Sequence, residues 1–129
     1  EDAFERLCRA LEPLKNGASF YIEATRALIA VDVNTGPDTS PAAALKANLA
    51  AAEALPRALR LRGLGGQIVV DFAPMPKKDR RQLETVLRRA FRNDPIETSL
   101  IGWTTLGLFE IQRKRERLPI RASLNETKP

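Results

Sequence analysis

Ala27-Leu28-Ile29-Ala30-Val31-Asp32-Val33-Asn34-Thr35-Gly36 and Leu61-Arg62-Gly63-Leu64-Gly65-Gly66-Gln67-Ile68-Val69-Val70-Asp71-Phe72 decide the fold. Each contains an apolar, β-branched run bounded by glycine, the pattern of a buried strand. Each run closes on an aspartate. Between them, residues 42–62 are alanine-rich and read as one long helix, with Ser40 as N-cap and Pro41 in the first turn. Strand, helix and strand at this spacing make a βαβ unit with a right-handed crossover and parallel strands. The carboxyl ends of both strands, with Asp32 and Asp71, then meet at one edge of the sheet. Open α/β sheets carry their sites at that edge.

Outward from this unit the periodicities continue. Phe4, Leu7, Cys8, Leu11 and Leu14 sit at helical spacing, which predicts a helix over residues 2–14, ended by Pro13 and Asn16-Gly17. Cys8 falls on its apolar face and reads as a small buried hydrophobe. Residues 19–24 and 26–34 read as strands joined by a tight turn at Ala24-Thr25. In the long helix, Leu45, Leu49, Ala52, Leu55 and Leu59 form the expected buried face, and Pro56 is expected to kink or interrupt it. Residues 77–93 read as a basic helix with Leu83, Val86, Leu87 and Ala90 inward. Residues 96–104 and 106–112 read as two further strands. The expected fold class is α/β: a mixed sheet with a central parallel βαβ unit, flanked by helices. Residues 118–129 are expected to form a polar C-terminal tail.

Composition narrows the chemistry. The 129 residues suit one domain, and 43% hydrophobic against 29% charged residues indicates a globular chain. There is no histidine, and Cys8 is the only cysteine. Disulfides, Cys/His zinc sites and histidine bases are thereby excluded. Any chemistry must come from carboxylates, Lys, Tyr or a hard metal ion, and hard cations take oxygen ligands, so Mg²⁺ or Mn²⁺ is the expected ion. Lys and Arg exceed Asp and Glu by 21 to 16, and this balance favours a polyanionic partner. No apolar run reaches the ~20 residues that span a bilayer, no signal-peptide pattern is present, and a cytoplasmic location is expected. The first residue is not methionine, as in a piece of a longer protein.

Three constellations stand out. Asp32 and Asn34 lie two apart and share a strand face. With Asp71 they form a candidate cation site, in which the amide completes the shell or holds a carboxylate. The plainer reading is that each aspartate caps a neighbouring loop or helix. Lys77, Lys78, Arg80, Arg81, Arg88, Arg89 and Arg92 form a basic helix that could meet a phosphate backbone, or a solvated face interleaved with Asp79 and Glu84. Arg113, Lys114, Arg115 and Arg117 follow a strand and either grip RNA or form a simple basic tail. Phe109 reads as core. Trp103 reads equally as core or as a base-stacking platform.

On these residues the chain resembles the ribonuclease E/G family of bacterial endoribonucleases, from about Asn16 to Arg117. The resemblance is carried by Val31-Asp32-Val33-Asn34-Thr35-Gly36, Lys46-Ala47-Asn48-Leu49-Ala50-Ala51-Ala52-Glu53, Leu59-Arg60-Leu61-Arg62-Gly63-Leu64-Gly65-Gly66 with Ile68-Val69-Val70-Asp71-Phe72, and Gly107-Leu108-Phe109-Glu110-Ile111-Gln112-Arg113. It implies a deoxyribonuclease-I-like catalytic subdomain over residues 1–117. It further implies that Asp32 and Asp71 bind one Mg²⁺, that Asn34 orients an aspartate, and that a metal-activated water cleaves single-stranded RNA to leave a 5′-phosphate. Lys77, Lys78, Arg81, Arg113 and Arg115 are the expected RNA contacts. The sequence departs from the family at Pro74, where a second acidic residue is usual, at Thr105-Leu106-Gly107, where Arg-Phe-Gly is usual, and near Pro95 and Glu97, where arginines are usual. The loop after Asn34 is also shorter. No Cys-x-x-Cys pair is present, so neither zinc nor a zinc-linked dimer is expected. The OB-fold and 5′-end sensor regions that lie upstream in the family have no counterpart, as in a divergent short member or a cut-out domain. The alternative function is an RNA-binding or regulatory module with little or no turnover.

Overall fold

The computed structural model describes residues 2–115, apart from the side chains of residues 6–8. The readings of Leu7, Cys8, Arg117 and the tail 118–129 lie outside the described residues. Along the chain run α1 (Ala3–Ala10), β1 (Leu11–Pro13), β2 (Ser19–Ala24), β3 (Ile29–Asn34), α2 (Pro41–Leu61), β4 (Gly66–Asp71), α3 (Arg80–Arg92), β5 (Thr98–Trp103) and β6 (Phe109–Arg113). Short 3-10 turns occupy Lys15–Gly17 and Lys77–Asp79. The strands form one mixed sheet in the order β1-β2-β3-β4-β6-β5. Only β3 and β4 pair in parallel, and α2 connects them as the βαβ pattern predicts.

Side chains alternate across a strand, so each strand presents two faces. Phe20, Ile22, Ile29, Val31, Val33, Ile68, Val70, Phe109 and Ile111 are buried on one of them. There they meet Leu55 and Leu59 of α2 and Leu83, Leu87 and Phe91 of α3 in a single core. The opposite face of the two central strands is not covered. Asp32, Asn34, Gln67 and Asp71 are exposed there, and Ala30 and Val69 are half-buried. The strands are thus buried on one face rather than on both, because the helices packed in the core lie on one side of the sheet.

Several boundaries differ from the sequence reading. α1 stops at Ala10, and Leu11 joins β1, which pairs with β2 through Leu11 and Tyr21. A free edge on β2 recruits these residues, and a backbone ladder outweighs extension of the helix to Leu14. The turn after β2 spans Thr25 to Leu28 and closes through Thr25 N–H to the Leu28 carbonyl, 2.8 Å. Helix α2 begins as predicted, with the Ser40 hydroxyl accepting from Ala43 N–H at 3.2 Å. Its most buried stripe is Ala44, Ala47, Asn48, Ala51, Ala52, Leu55, Ala58 and Leu59, whereas Leu45 and Leu49 are half-buried. Pro56 does not interrupt it: the helix runs on to Leu61 with the proline ring buried, and ring burial offsets part of the lost backbone bond. Among the described residues no helix is long and apolar enough to cross a membrane.

Candidate active site

Parallel pairing aligns the two aspartates. Asp32 is the direct register partner of Asp71, and on its other side Asp32 faces Tyr21 of β2. Neighbouring strands lie about 5 Å apart, so the carboxylates project side by side from the open face. Asn34 lies two residues further along β3 on the same face, and its side chain hydrogen-bonds to Asp32. Burial, and after it the charge of Asp71, push the Asp32 carboxyl above the usual carboxylate range; the bond from Asn34 pulls it part of the way back.

The ends of the strands are fixed from below. Gly36 lies against the Asn16-Gly17 turn so closely that a Cβ on it would stand 2.5 Å from the Asn16 carbonyl oxygen. Only glycine fits this approach, which packs the turn against the chain just after Asn34. After Asp71 the chain enters an aromatic cluster. Trp103 and Phe109 stand edge to face at 5.1 Å, and Phe72 lies 5.9 Å from Trp103. The Arg80 guanidinium covers the Trp103 ring at 4.3 Å. Trp103 is therefore packed between core rings and a cation, and its indole Nε1 is buried without a hydrogen-bond partner among the described residues.

The structure separates the five basic residues singled out for RNA. Lys77, Lys78 and Arg81 are exposed, follow Asp71 by six to ten residues and make no ion pair among the described residues. Arg88 and Arg89 instead face Glu84 and Glu53 at 3.8 and 3.7 Å. Arg113 is a correction. It is 0% exposed, and its guanidinium meets the Asp94 carboxylate at 3.0 Å and the Thr98 hydroxyl at 3.0 Å. A cation this deeply buried is held by its carboxylate partner and is not presented to a ligand. Arg60 reaches the same carboxylate. Asp94 thereby anchors α2 to the last strand. Arg115 is exposed, but it lies over Gly66 at the opposite end of β4 from Asp71. The five residue steps of that strand put it about 17 Å away.

Two carboxylates and an amide oxygen are a hard donor set. Among the described residues no third acidic, histidine or cysteine ligand joins them. Such a set suits an ion that keeps several waters, as Mg²⁺ does. A cation between Asp32 and Asp71 would also relieve the repulsion that raises Asp32. The residues present therefore fit Mg²⁺ or Mn²⁺.

Comparison with known proteins finds similarity along most of the chain. The model of the ribonuclease E/G family matches residues 1–116. Ribonuclease G of Escherichia coli K12 is 39% identical over 128 residues, covering 90% of this chain and 25% of that protein. Ribonuclease E of Haemophilus influenzae is 38% identical over 120 residues, covering 89% of this chain and 12% of that protein. The chloroplastic ribonuclease E/G-like protein of Arabidopsis thaliana is 35% identical over 133 residues, covering 98% of this chain and 13% of that protein. The chain thus spans a quarter or less of the length of these relatives.

Proposed function

The chain belongs to the ribonuclease E/G family, and on that premise we propose that it is the metal-dependent catalytic subdomain of an endoribonuclease acting on single-stranded RNA. The observation that carries this reading is the direct pairing of Asp32 with Asp71 across the sole parallel strand pair of the described sheet. Sequence separates them by a 21-residue helix, and the fold brings them side by side on an uncovered face. Two like charges placed there raise each other's free energy unless a cation joins them.

In this reading Asp32 and Asp71 hold one Mg²⁺, with Mn²⁺ as a substitute. When bound, the ion lowers the pKa of a coordinated water and polarises a phosphate oxygen. Asn34 holds the Asp32 carboxylate in one orientation through its amide. Lys77, Lys78 and Arg81 attract the phosphate backbone to the edge where β4 ends. Arg115 is a more distant contact for the same strand. Water attack with cleavage of the P–O3′ bond, the 3′ oxygen leaving as a hydroxyl, would give the expected 5′-phosphate end. The single thiol and lack of disulfides suit a reducing, cytoplasmic setting.

The test is cleavage of single-stranded RNA by the full-length protein, with Mg²⁺ present and after chelation. Cleavage that requires the ion and leaves 5′-phosphates supports the reading, and chelator-resistant cleavage overturns it. The alternative, an RNA-binding or regulatory module with little or no turnover, is favoured by the loss of groups that would hold a substrate in line: Arg113 is spent inside the core, and Pro95, Glu97 and Thr105 stand where the family usually has arginines. RNA binding that persists while cleavage is absent at saturating Mg²⁺ would select it.

A further inference from the structure

Asn48 is a polar side chain in an alanine stripe. It lies on α2 among Ala44, Ala47, Ala51 and Ala52 and is 0% exposed. A buried amide must find partners. Asn48 finds them on one short stretch of chain: its Oδ1 accepts from Ala73 N–H at 2.8 Å, and its Nδ2 donates to the Ala73 carbonyl at 2.9 Å. The same Nδ2 lies 3.3 Å from the Met75 sulfur. Turning the amide over would set donor against donor at Ala73, so this orientation is the one that satisfies both backbone groups.

The clamp sits at a critical place. The parallel register of β3 and β4 ends at Asp32 and Asp71, and the pairing of β4 with β6 ends one residue earlier, at Val70 and Phe109. Asp71 is thus the last residue of its strand, paired with β3 but already past the ladder with β6. Two residues later Asn48 seizes both backbone groups of Ala73. Asp71 is held between the end of a ladder on one side and a side-chain clamp on the other. Alanines around Asn48 bring the helix close enough for its short side chain to reach the loop.

We infer that Asn48 is a positioning residue that fixes the Asp71 carboxylate for cation binding, acting through Ala73 rather than by touching the ion. The inference rests on the metal-site reading above. Hydrogen-bond partners that orient metal ligands typically contribute about 10–100-fold in affinity or activity. Asn48→Asp keeps the size and the acceptor but, when ionised, cannot donate to the Ala73 carbonyl. Asn48→Ala removes both bonds.

The experiment measures Mg²⁺ half-saturation, kcat and KM for single-stranded RNA in the full-length protein, alongside Tm by circular dichroism. Asn48→Asp should raise the Mg²⁺ requirement by about tenfold and lower kcat, with KM for RNA within twofold of wild type. A residue that served only packing would lower Tm and leave the folded enzyme's Mg²⁺ requirement unchanged, and that result overturns the inference. If Asn48→Ala does not fold, Asn48→Asp carries the test. Failure of both to fold at 10 °C also overturns it, since the residue then serves the fold alone. Asp32→Asn is the control: if it keeps wild-type Mg²⁺-dependent cleavage, the metal-site reading itself is wrong. If it loses cleavage while both Asn48 variants behave as wild type, only the role of Asn48 fails.

Discussion

Asp32 is the residue on which the proposed chemistry turns. Its carboxyl is raised first by burial and second by Asp71, and lowered by Asn34. Without metal, an NMR titration of Asp32 should therefore run above the usual carboxylate range. Asp71→Asn should move it down but not fully back, because burial remains; Asn34→Ala should move it further up. A raised acid stabilises the fold below its unfolded pKa and loses that contribution as pH rises through its folded value. Metal-free Asp71→Asn should accordingly melt slightly higher than wild type at neutral pH. With metal the sign reverses, since protons compete with the cation, and affinity should fall as pH drops through the Asp32 pKa. Titration of Asp32 at or below the ordinary value would break this account. For cleavage, Asp32→Asn and Asp71→Asn should each cost more than the ~10–100-fold expected of Asn34→Ala, whose role is to orient. Rates for either aspartate variant near wild type would move the site elsewhere.

At the scale of elements, the basic residues divide by what their strands and helices do with them. The turn at Lys77–Asp79 and the start of α3 present Lys77, Lys78 and Arg81 to solvent beyond the end of β4. The β5–β6 hairpin folds Arg113 inward onto Asp94. Replacing Lys77, Lys78 and Arg81 together with Ala should weaken binding to all RNA sequences alike. It should also reduce the slope of log K against log salt by roughly 2, at about 0.7 per phosphate contact. Arg113→Ala should do the reverse: leave that slope unchanged and destabilise the fold, by less than the about 3–5 kcal/mol of a wholly unpaired buried carboxylate because Arg60 still reaches Asp94. Salt titrations and denaturant melts of the two variants check this. An Arg113 variant of normal stability with a flattened salt slope would restore it as an RNA contact.

Viewed whole, the described molecule is a sheet with α2 and α3 on one side and its carboxylate pair on the other. The chain covers 25% of Escherichia coli ribonuclease G. Phosphodiester cleavage requires the scissile bond to be held in line with the attacking water. On the proposed reading, two carboxylates and an amide would hold an ion and an exposed basic turn would attract a strand, but they would not grip it at many points. We therefore expect these 129 residues alone to cleave single-stranded RNA much more slowly than the full-length protein at equal concentration. By linkage, RNA should tighten the metal and metal should tighten RNA by the same factor. Equal cleavage rates would show that the open face and basic turn suffice.

The sequence by itself determined the βαβ unit, the two aspartates at its strand ends, the amide beside the first, and the family. These are local or short-range signals: β-branched runs, a capped alanine helix and glycine punctuation carry their meaning within a few residues. The tertiary structure alone decided three further matters. It covered one face of the central strands and left the other open, which depends on where α3 packs. It turned Arg113 inward, because a partner at Asp94 was waiting 19 positions earlier in sequence, and charge alone does not reveal which arginine will find a carboxylate. It also placed Asn48 in the core. Taking Leu45 and Leu49 as the buried stripe set that residue at the margin, whereas the alanines had the closer approach to the sheet. A polar residue within an alanine stripe was the available signal. Its meaning came only when the fold brought α2 to the backbone that follows Asp71, because a hydrogen-bond clamp exists only once both halves are in place.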